Sequence, residues 1–225
     1  ADGHHRYETA LEYSKLMHES GHKGYDYVMT TLVNLYDAGL VVLPTHRVVK
    51  NINNLDLEEL KSALTEVFEV EEFDLSPGLP CFMNELANRG KKKHVFGLYT
   101  QERSLYLLTV KNMNQAKSLM PKDMSDSWRK LDVALLDNLV LSRLLGINEA
   151  DRKNRDDLSY TRDEQWALDR VNDGSHQLAL LLNPTRVEEV VAVAQAGDKM
   201  PQKSTYFYPK LLTGMVINPL FKNLP

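Results

Sequence analysis

Two apolar runs, HVFGLYT at 94–100 and LYLLTVK at 105–111, are separated by only the four polar residues QERS. Aromatic and aliphatic residues on both sides of so short a polar turn predict a hairpin. Its two strands have to be buried against something else, and the rest of the chain supplies both helical and strand patterns. The fold class expected is therefore α+β, with mixed α/β character.

The patterns on either side fill in that expectation. Ala10, Leu11, Ser14 and Met17 recur at helical spacing and stop at Glu19-Ser20-Gly21, which makes a helix following the opening residues. The run YDYVMTTLVNLY at 25–36 is rich in β-branched and aromatic residues and predicts a strand, followed by a second at Leu40–Leu43. The polar connector KNINNLD at 50–56 ends in Asp56, suited to cap a helix LEELKSALTEVF in which Leu57, Leu60, Leu64 and Phe68 share one face. A short helix CFMNELAN, closed by Gly90, precedes the hairpin. Trp128, Leu131, Leu135, Leu139 and Leu145 mark one long amphipathic helix that ends near Gly146. The last third predicts a helix TRDEQWALDRV, a strand QLALLLN, a helix PTRVEEVVAVAQAG, and strand-like YFYP and TGMVIN. The expected organisation is a first portion 1–50, an α+β insert 51–125, and a C-terminal α/β segment 126–225 that packs back on the first.

Composition excludes several classes. Of 225 residues 43% are hydrophobic and 26% charged, with a formal net charge of −4, so the chain is neither disordered nor a wholly basic nucleic-acid footprint. The longest apolar stretch, 131–147, is broken by Asp132, Asp137 and Arg143, so no membrane span is expected. A single cysteine, Cys81, excludes an internal disulfide and a multi-cysteine zinc site and fits a reducing, cytoplasmic setting. On an apolar short helix Cys81 reads as a small buried hydrophobe. The sequence has no GxGxxG, GxxxxGK[ST], HExxH, GxSxG or CxxC pattern. The glutamates of EVFEVEE at 66–72 alternate with apolar residues and read as a solvated face beside a buried one.

Chemistry concentrates in three places. Asp2-Gly3-His4-His5-Arg6 brings a carboxylate, a glycine, two imidazoles and a guanidinium to a helix start, a composition suited to phosphate. Glycine allows close approach of the main chain, and Arg6 can grip two oxygens. Asp2 either holds a Mg²⁺ ion, orients a histidine, or caps the helix. Thr45, His46 and Arg47 follow a strand-like run and add a hydroxyl, an imidazole and a guanidinium at its end, or else form a solvated turn. Lys203, Ser204, Thr205 and Tyr206, with Lys210 beyond, offer lysines and hydroxyls to a phosphate and an aromatic face to a base or sugar, or else form a loop held by tyrosine packing.

DGHHR before a helix resembles the signature box of the ParB/sulfiredoxin-like superfamily, which reads GERR in ParB proteins and DGHTR in free serine kinases. Asp2, Gly3, His4 and Arg6 match the kinase form, and only His5 departs from it. Against the sulfiredoxin box GGCHR, His4 stands where the reactive cysteine should be, so sulfinic-acid reduction is set aside. ADGHHRYETA at 1–10, GLVVLPTHRVV at 39–49 and MPQKSTYFYPKLLTGMVINPL at 200–220 together resemble the bacterial and archaeal family catalogued as domain of unknown function 1015. The resemblance implies a ParB/sulfiredoxin-like portion at 1–50, and the chain looks like the C-terminal portion of such a protein because it starts at the box without an initiator Met.

Two functions from different classes follow from these residues and the resemblance. In one, a nucleotide such as ATP, ADP or CTP binds through Gly3 and Arg6, with Lys203, Ser204, Thr205 and Lys210 on its phosphates. Asp2, His4 and His5 then serve phosphoryl transfer or hydrolysis, with Mg²⁺ on Asp2. In the other, the same residues sense a nucleotide or phosphorylated metabolite without turnover, and the insert docks a partner protein. DNA binding of the ParB type needs a basic recognition helix, and the sequence offers none.

Overall fold

The hairpin anticipated from QERS lies inside a six-stranded antiparallel sheet. β1 (Val41–Leu43), β2 (His46–Val49), β3 (Phe68–Phe73), β4 (Val95–Thr100), β5 (Leu105–Val110), β6 (Leu158–Thr161), β7 (Leu178–Leu181) and β8 (Tyr206–Tyr208) are the strands of a computed structural model. It describes residues 3–148, 157–210, 212 and 214–217. The sheet order is β3-β5-β4-β7-β2-β6, and β1 pairs with β8 in a two-stranded ribbon. β4 and β5 pair in the register Phe96 to Leu108 and Leu98 to Tyr106, and β7 joins β4 to β2. The chain divides into two compact units, residues 1–41 with 207–225, and residues 42–206. Residues 51–125 thus contribute β3, β4 and β5 to the same sheet as β2, β6 and β7.

Both faces of the sheet are covered, which is why β4, β5 and β7 read as nearly continuous apolar runs. On one face Val49, Leu98, Leu108 and Leu180 pack with residues of α2 (Leu57–Leu64), α4 (Met113–Ser118), α6 (Asp132–Leu136) and α8 (Val187–Gln195). On the other, Val48, Val95, Leu107 and Leu181 pack with Phe82 and Leu86 of α3 (Leu79–Gly90) and Ala167, Leu168 and Val171 of α7 (Glu164–Asn172). The short α5 (Asp126–Arg129) precedes α6. The other unit contains α1 (His4–Glu19).

Several local expectations change under tertiary structure. The helix predicted over 57–68 stops at Leu64, with Asp56 capping the amides of Glu58 and Glu59 as anticipated, and Phe68 opens β3. There Phe68 and Val70 turn inward while Glu69 and Glu71 face out, a two-residue alternation that a strand can satisfy and a helix cannot. β3 is an edge strand, and its exposed glutamates meet Arg89 and Lys93. The helix expected over 128–145 is broken into α5, α6 and a π-helical stretch Asp137–Ser142. Residues 25–36 form no strand: their side chains are mostly exposed, and β-propensity without a partner strand does not make one. Residues 214–217 of the expected TGMVIN strand are irregular, and its ends lie outside the described residues. Cys81 is exposed, not buried, because α3 turns Phe82 and Leu86 toward the sheet and Cys81 away from it. β6 was not foreseen; its run LSYT is too short and polar to stand out. Among the described residues no helix is long and apolar enough to cross a membrane.

Candidate functional site

The box at the start of the chain is itself helical, since α1 begins at His4. Gly3 is its N-cap at φ +82°, a left-handed conformation that glycine adopts without strain, and among the described residues no side chain caps the helix. The guanidinium of Arg6 folds back over Gly3 so closely that a Cβ there would overlap it. The backbone N–H of Arg6 donates to the Gly3 carbonyl at 2.9 Å, closing the first turn. His4 is half-buried and Arg6 exposed, so a cation and the positive end of a sixteen-residue helix face outward together. Asp2 and the side chain of His5 lie outside the described residues.

Thr45, His46 and Arg47 are placed differently from a strand exit. β2 lies between β7 and β6, and all three residues are buried. Pairing sets Arg47 opposite Leu180 on one side and Tyr160 on the other, so its side chain enters the core face that carries Val49. There the guanidinium donates to the carbonyls of Thr45 and, at 3.4 Å, of Lys203. Its Nε lies 3.4 Å from Asp137 Oδ1 at the start of the π-helical stretch, and its carbon 5.5 Å from the centre of the Tyr160 ring. Arg47 therefore ties β2 to a helix and to the 200–205 loop from inside the unit.

His46 accepts a hydrogen bond at Nδ1 from the Leu182 amide at 3.2 Å, while its buried Nε2 has no protein partner. Burial first, and then the neighbouring Arg47 charge, pull its pKa down to about 4. In the unfolded chain this imidazole titrates near 6.5. Below that pH the unfolded state takes up a proton that the folded state refuses, and stability falls until the pH reaches about 4. Against a His46→Gln variant, the parent is expected to lose up to about 1.4 kcal/mol more per pH unit over this window, read from urea midpoints at several pH values. Identical pH profiles for the two proteins would show that His46 is not held neutral.

The third group meets the second within the unit. Lys203 is exposed at φ +54° and its carbonyl receives the Arg47 bond; Ser204 is buried and its carbonyl accepts from Thr185 Oγ1 at 2.7 Å. Thr205 is half-buried, and the guanidinium of Arg162 lies 4.0 Å from the centre of the Tyr206 ring, so that aromatic face already has a partner. Lys210 is exposed and belongs to the other unit. The geometry thus unites the residues at 45–47 with those at 203–204 through main-chain carbonyls and a buried arginine.

A second polar cluster escaped the sequence reading. His94 Nδ1 and Asp132 Oδ1 are 2.7 Å apart beside a cleft lined by Lys91, Lys92, Lys93 and Arg186. The basic run KKKH directly after the glycine that closes α3 was the available signal, but nothing in the sequence joins it to an aspartate 38 residues on.

The fold and these sites define a mixed α+β protein with a glycine-capped helix carrying a His-His-Arg box. The chain belongs to the family of proteins of unknown function DUF1015, whose model matches residues 1–134. Among solved structures it is similar to a conserved hypothetical protein from Pyrococcus furiosus, at 13% identity and TM-score 0.42, with 79% of this chain and 60% of that one covered. It is also similar to a free serine kinase in complex with AMP, at 16% identity, TM-score 0.43 and 79% and 57% coverage. For a glutamate-to-alanine mutant of a free serine kinase in complex with ADP the values are 19%, 0.47, 92% and 66%. The chain spans about 60% of the length of the solved structures it matches. No curated protein matches it.

Proposed function

We propose that the chain binds a phosphorylated ligand, in the first instance a nucleotide such as ATP, ADP or CTP, at the amino end of α1, and that phosphoryl transfer to a small hydroxylated acceptor is the reaction this site serves. The observation that carries the reading is the glycine start of α1 with Arg6 folded over it. Helix amides and dipole favour an anion at that point, the missing Cβ lets phosphate approach the main chain, and the guanidinium can move from Gly3 onto two phosphate oxygens. His4 is placed to hydrogen-bond the ligand, with His5 beside it in sequence. Lys210, exposed in the same unit, is a second cation for the same charge. Among the described residues no three His, Cys, Asp or Glu side chains converge as a metal site, so a Mg²⁺ ion would be held by Asp2 together with the ligand's own phosphate oxygens.

A specific observation favours a second reading, a sensor without turnover. Thr45, His46, Arg47 and Ser204 are buried, and the Arg47 guanidinium and the Ser204 carbonyl are bonded inside the unit, which leaves fewer groups for chemistry than the sequence offered.

Thermal shift with ATP, ADP, CTP and pyrophosphate, with and without Mg²⁺, tests binding. A ligand at a hundredfold excess over Kd stabilises the native state by about 2.7 kcal/mol, and Arg6→Ala is expected to abolish most of that shift. No shift in the parent, or an equal shift in Arg6→Ala, would refute the site. Release or transfer of the terminal phosphate then separates the enzyme from the sensor.

A further inference from the structure

In the unit formed by residues 42–206, a cleft of about 440 Å³ opens where the carboxyl end of α3, the start of β4 and the amino ends of α6 and α8 come together. Gly90 forms part of its wall. A side chain there would overlap the amide of Asn183, which is itself fixed by a 3.1 Å bond to the Leu86 carbonyl, so the cleft keeps its shape only with glycine at this position.

The polar groups inside converge. Asp132, in the first turn of α6, lies 2.7 Å from Nδ1 of His94, and burial raises its carboxyl pKa while the histidine works against that rise. A carboxylate accepting from Nδ1 fixes the ring and leaves Nε2 for a ligand. Among the described residues His94 Nε2 has no protein partner. Four cations, Lys91, Lys92, Lys93 and Arg186, line the same cleft as this histidine against two carboxylates, Asp132 and Glu189. Lys91 is held by Asn88 at 3.0 Å, Lys93 reaches Glu69 at 4.0 Å, and Arg186, at the N-cap of α8, pairs with Glu189 at 2.8 Å. Lys92 is exposed and among the described residues has no such contact. Lysines after a helix answer its dipole, which accounts for their place at the end of α3. It does not account for their sharing a cleft with an oriented imidazole whose outer nitrogen is unused.

We propose that this cleft binds the phosphate of a phosphomonoester, with Lys92 and Arg186 on its charge and His94 Nε2 hydrogen-bonded to a phosphate oxygen. With Nδ1 held by Asp132, Nε2 is the ring nitrogen that meets the phosphate, and the lysine and arginine contacts to the same dianion are charge-assisted. The cleft is lined by residues of the 42–206 unit alone, whereas α1 belongs to the other unit.

The test is a titration of the full chain, ¹⁵N-labelled at histidine, with phenyl phosphate, using sodium sulfate and potassium chloride as control anions. Expected are a saturable move of the His94 Nε2 resonance, unchanged in Arg6→Ala, and binding about tenfold weaker in Lys92→Ala, as for loss of one charge-assisted contact. Lys92 is exposed, so that variant is expected to keep the parent's circular dichroism and leave the comparison clean. No saturable movement would overturn the proposal. An equal response to sulfate would reduce the cleft to a general dianion site and overturn the phosphomonoester assignment. Loss of the response in Arg6→Ala would assign the ligand to α1 instead. Calorimetric binding left intact in His94→Gln would remove the histidine from it.

Discussion

Arg47→Met is expected to lower the stability of the 42–206 unit by about 3–5 kcal/mol, the cost of leaving one member of a buried ion pair without the other. Arg47 is fully buried, and its charge is answered by Asp137 at 3.4 Å, the Thr45 and Lys203 carbonyls and the Tyr160 ring. Removing it takes the neighbouring positive charge from the buried Asp137 carboxylate and the donor from the Lys203 carbonyl in the 200–205 loop. Asp137→Leu alone is expected to cost a similar amount for the opposite reason. The double variant should recover most of the loss, since a packed apolar pair is often no worse than a buried ion pair, a non-additivity that a double-mutant cycle in urea reads directly. Single variants as stable as the parent would mean that water reaches the pair.

Phe82→Ala is the second large effect, about 3–5 kcal/mol, because a fully buried ring leaves a cavity that a β-sheet cannot collapse into. Phe82 packs edge-on against Phe73, with ring centres 5.1 Å apart. Its ring also fills the space over Gly97 in β4: a Cβ there would come within 2.8 Å of the ring and 3.0 Å of Leu181 Cβ. Gly97→Ala is therefore expected to cost about 1–3 kcal/mol by overpacking. Combining it with Phe82→Leu should recover part of that cost, because both changes act on one volume. Denaturant midpoints for the three variants decide the matter, and an unchanged midpoint for Gly97→Ala would show that the ring has room to slide.

These two positions mark where local pattern fails. A glycine in a strand reads as a weak point until a phenylalanine 15 positions earlier is seen to occupy the room it leaves. Arg47 and His46 read as polar residues at a strand exit; only the placing of β2 between β7 and β6 turns them inward. The run 25–36 has strand composition and no strand, and 68–73 has a helical neighbour and is a strand, because hydrogen-bond partners outweigh propensity.

At the candidate site the pattern was more informative. His4, His5 and Arg6 at a helix start and the glycine before them are local features, set by φ at Gly3 and the first turn of α1, and the residues spell them. The amino-acid sequence by itself determined the class of fold, the β4–β5 hairpin, β7, the Asp56-capped helix and the helix that starts at the His-His-Arg box, since periodicity, capping and turn chemistry act over a few neighbouring residues. The strand order, the burial of Arg47 with Asp137, and the pairing of His94 with Asp132 were decided by tertiary structure alone. Each joins residues distant in the chain, and which partner satisfies a buried charge depends on how the helices cover both faces of the sheet.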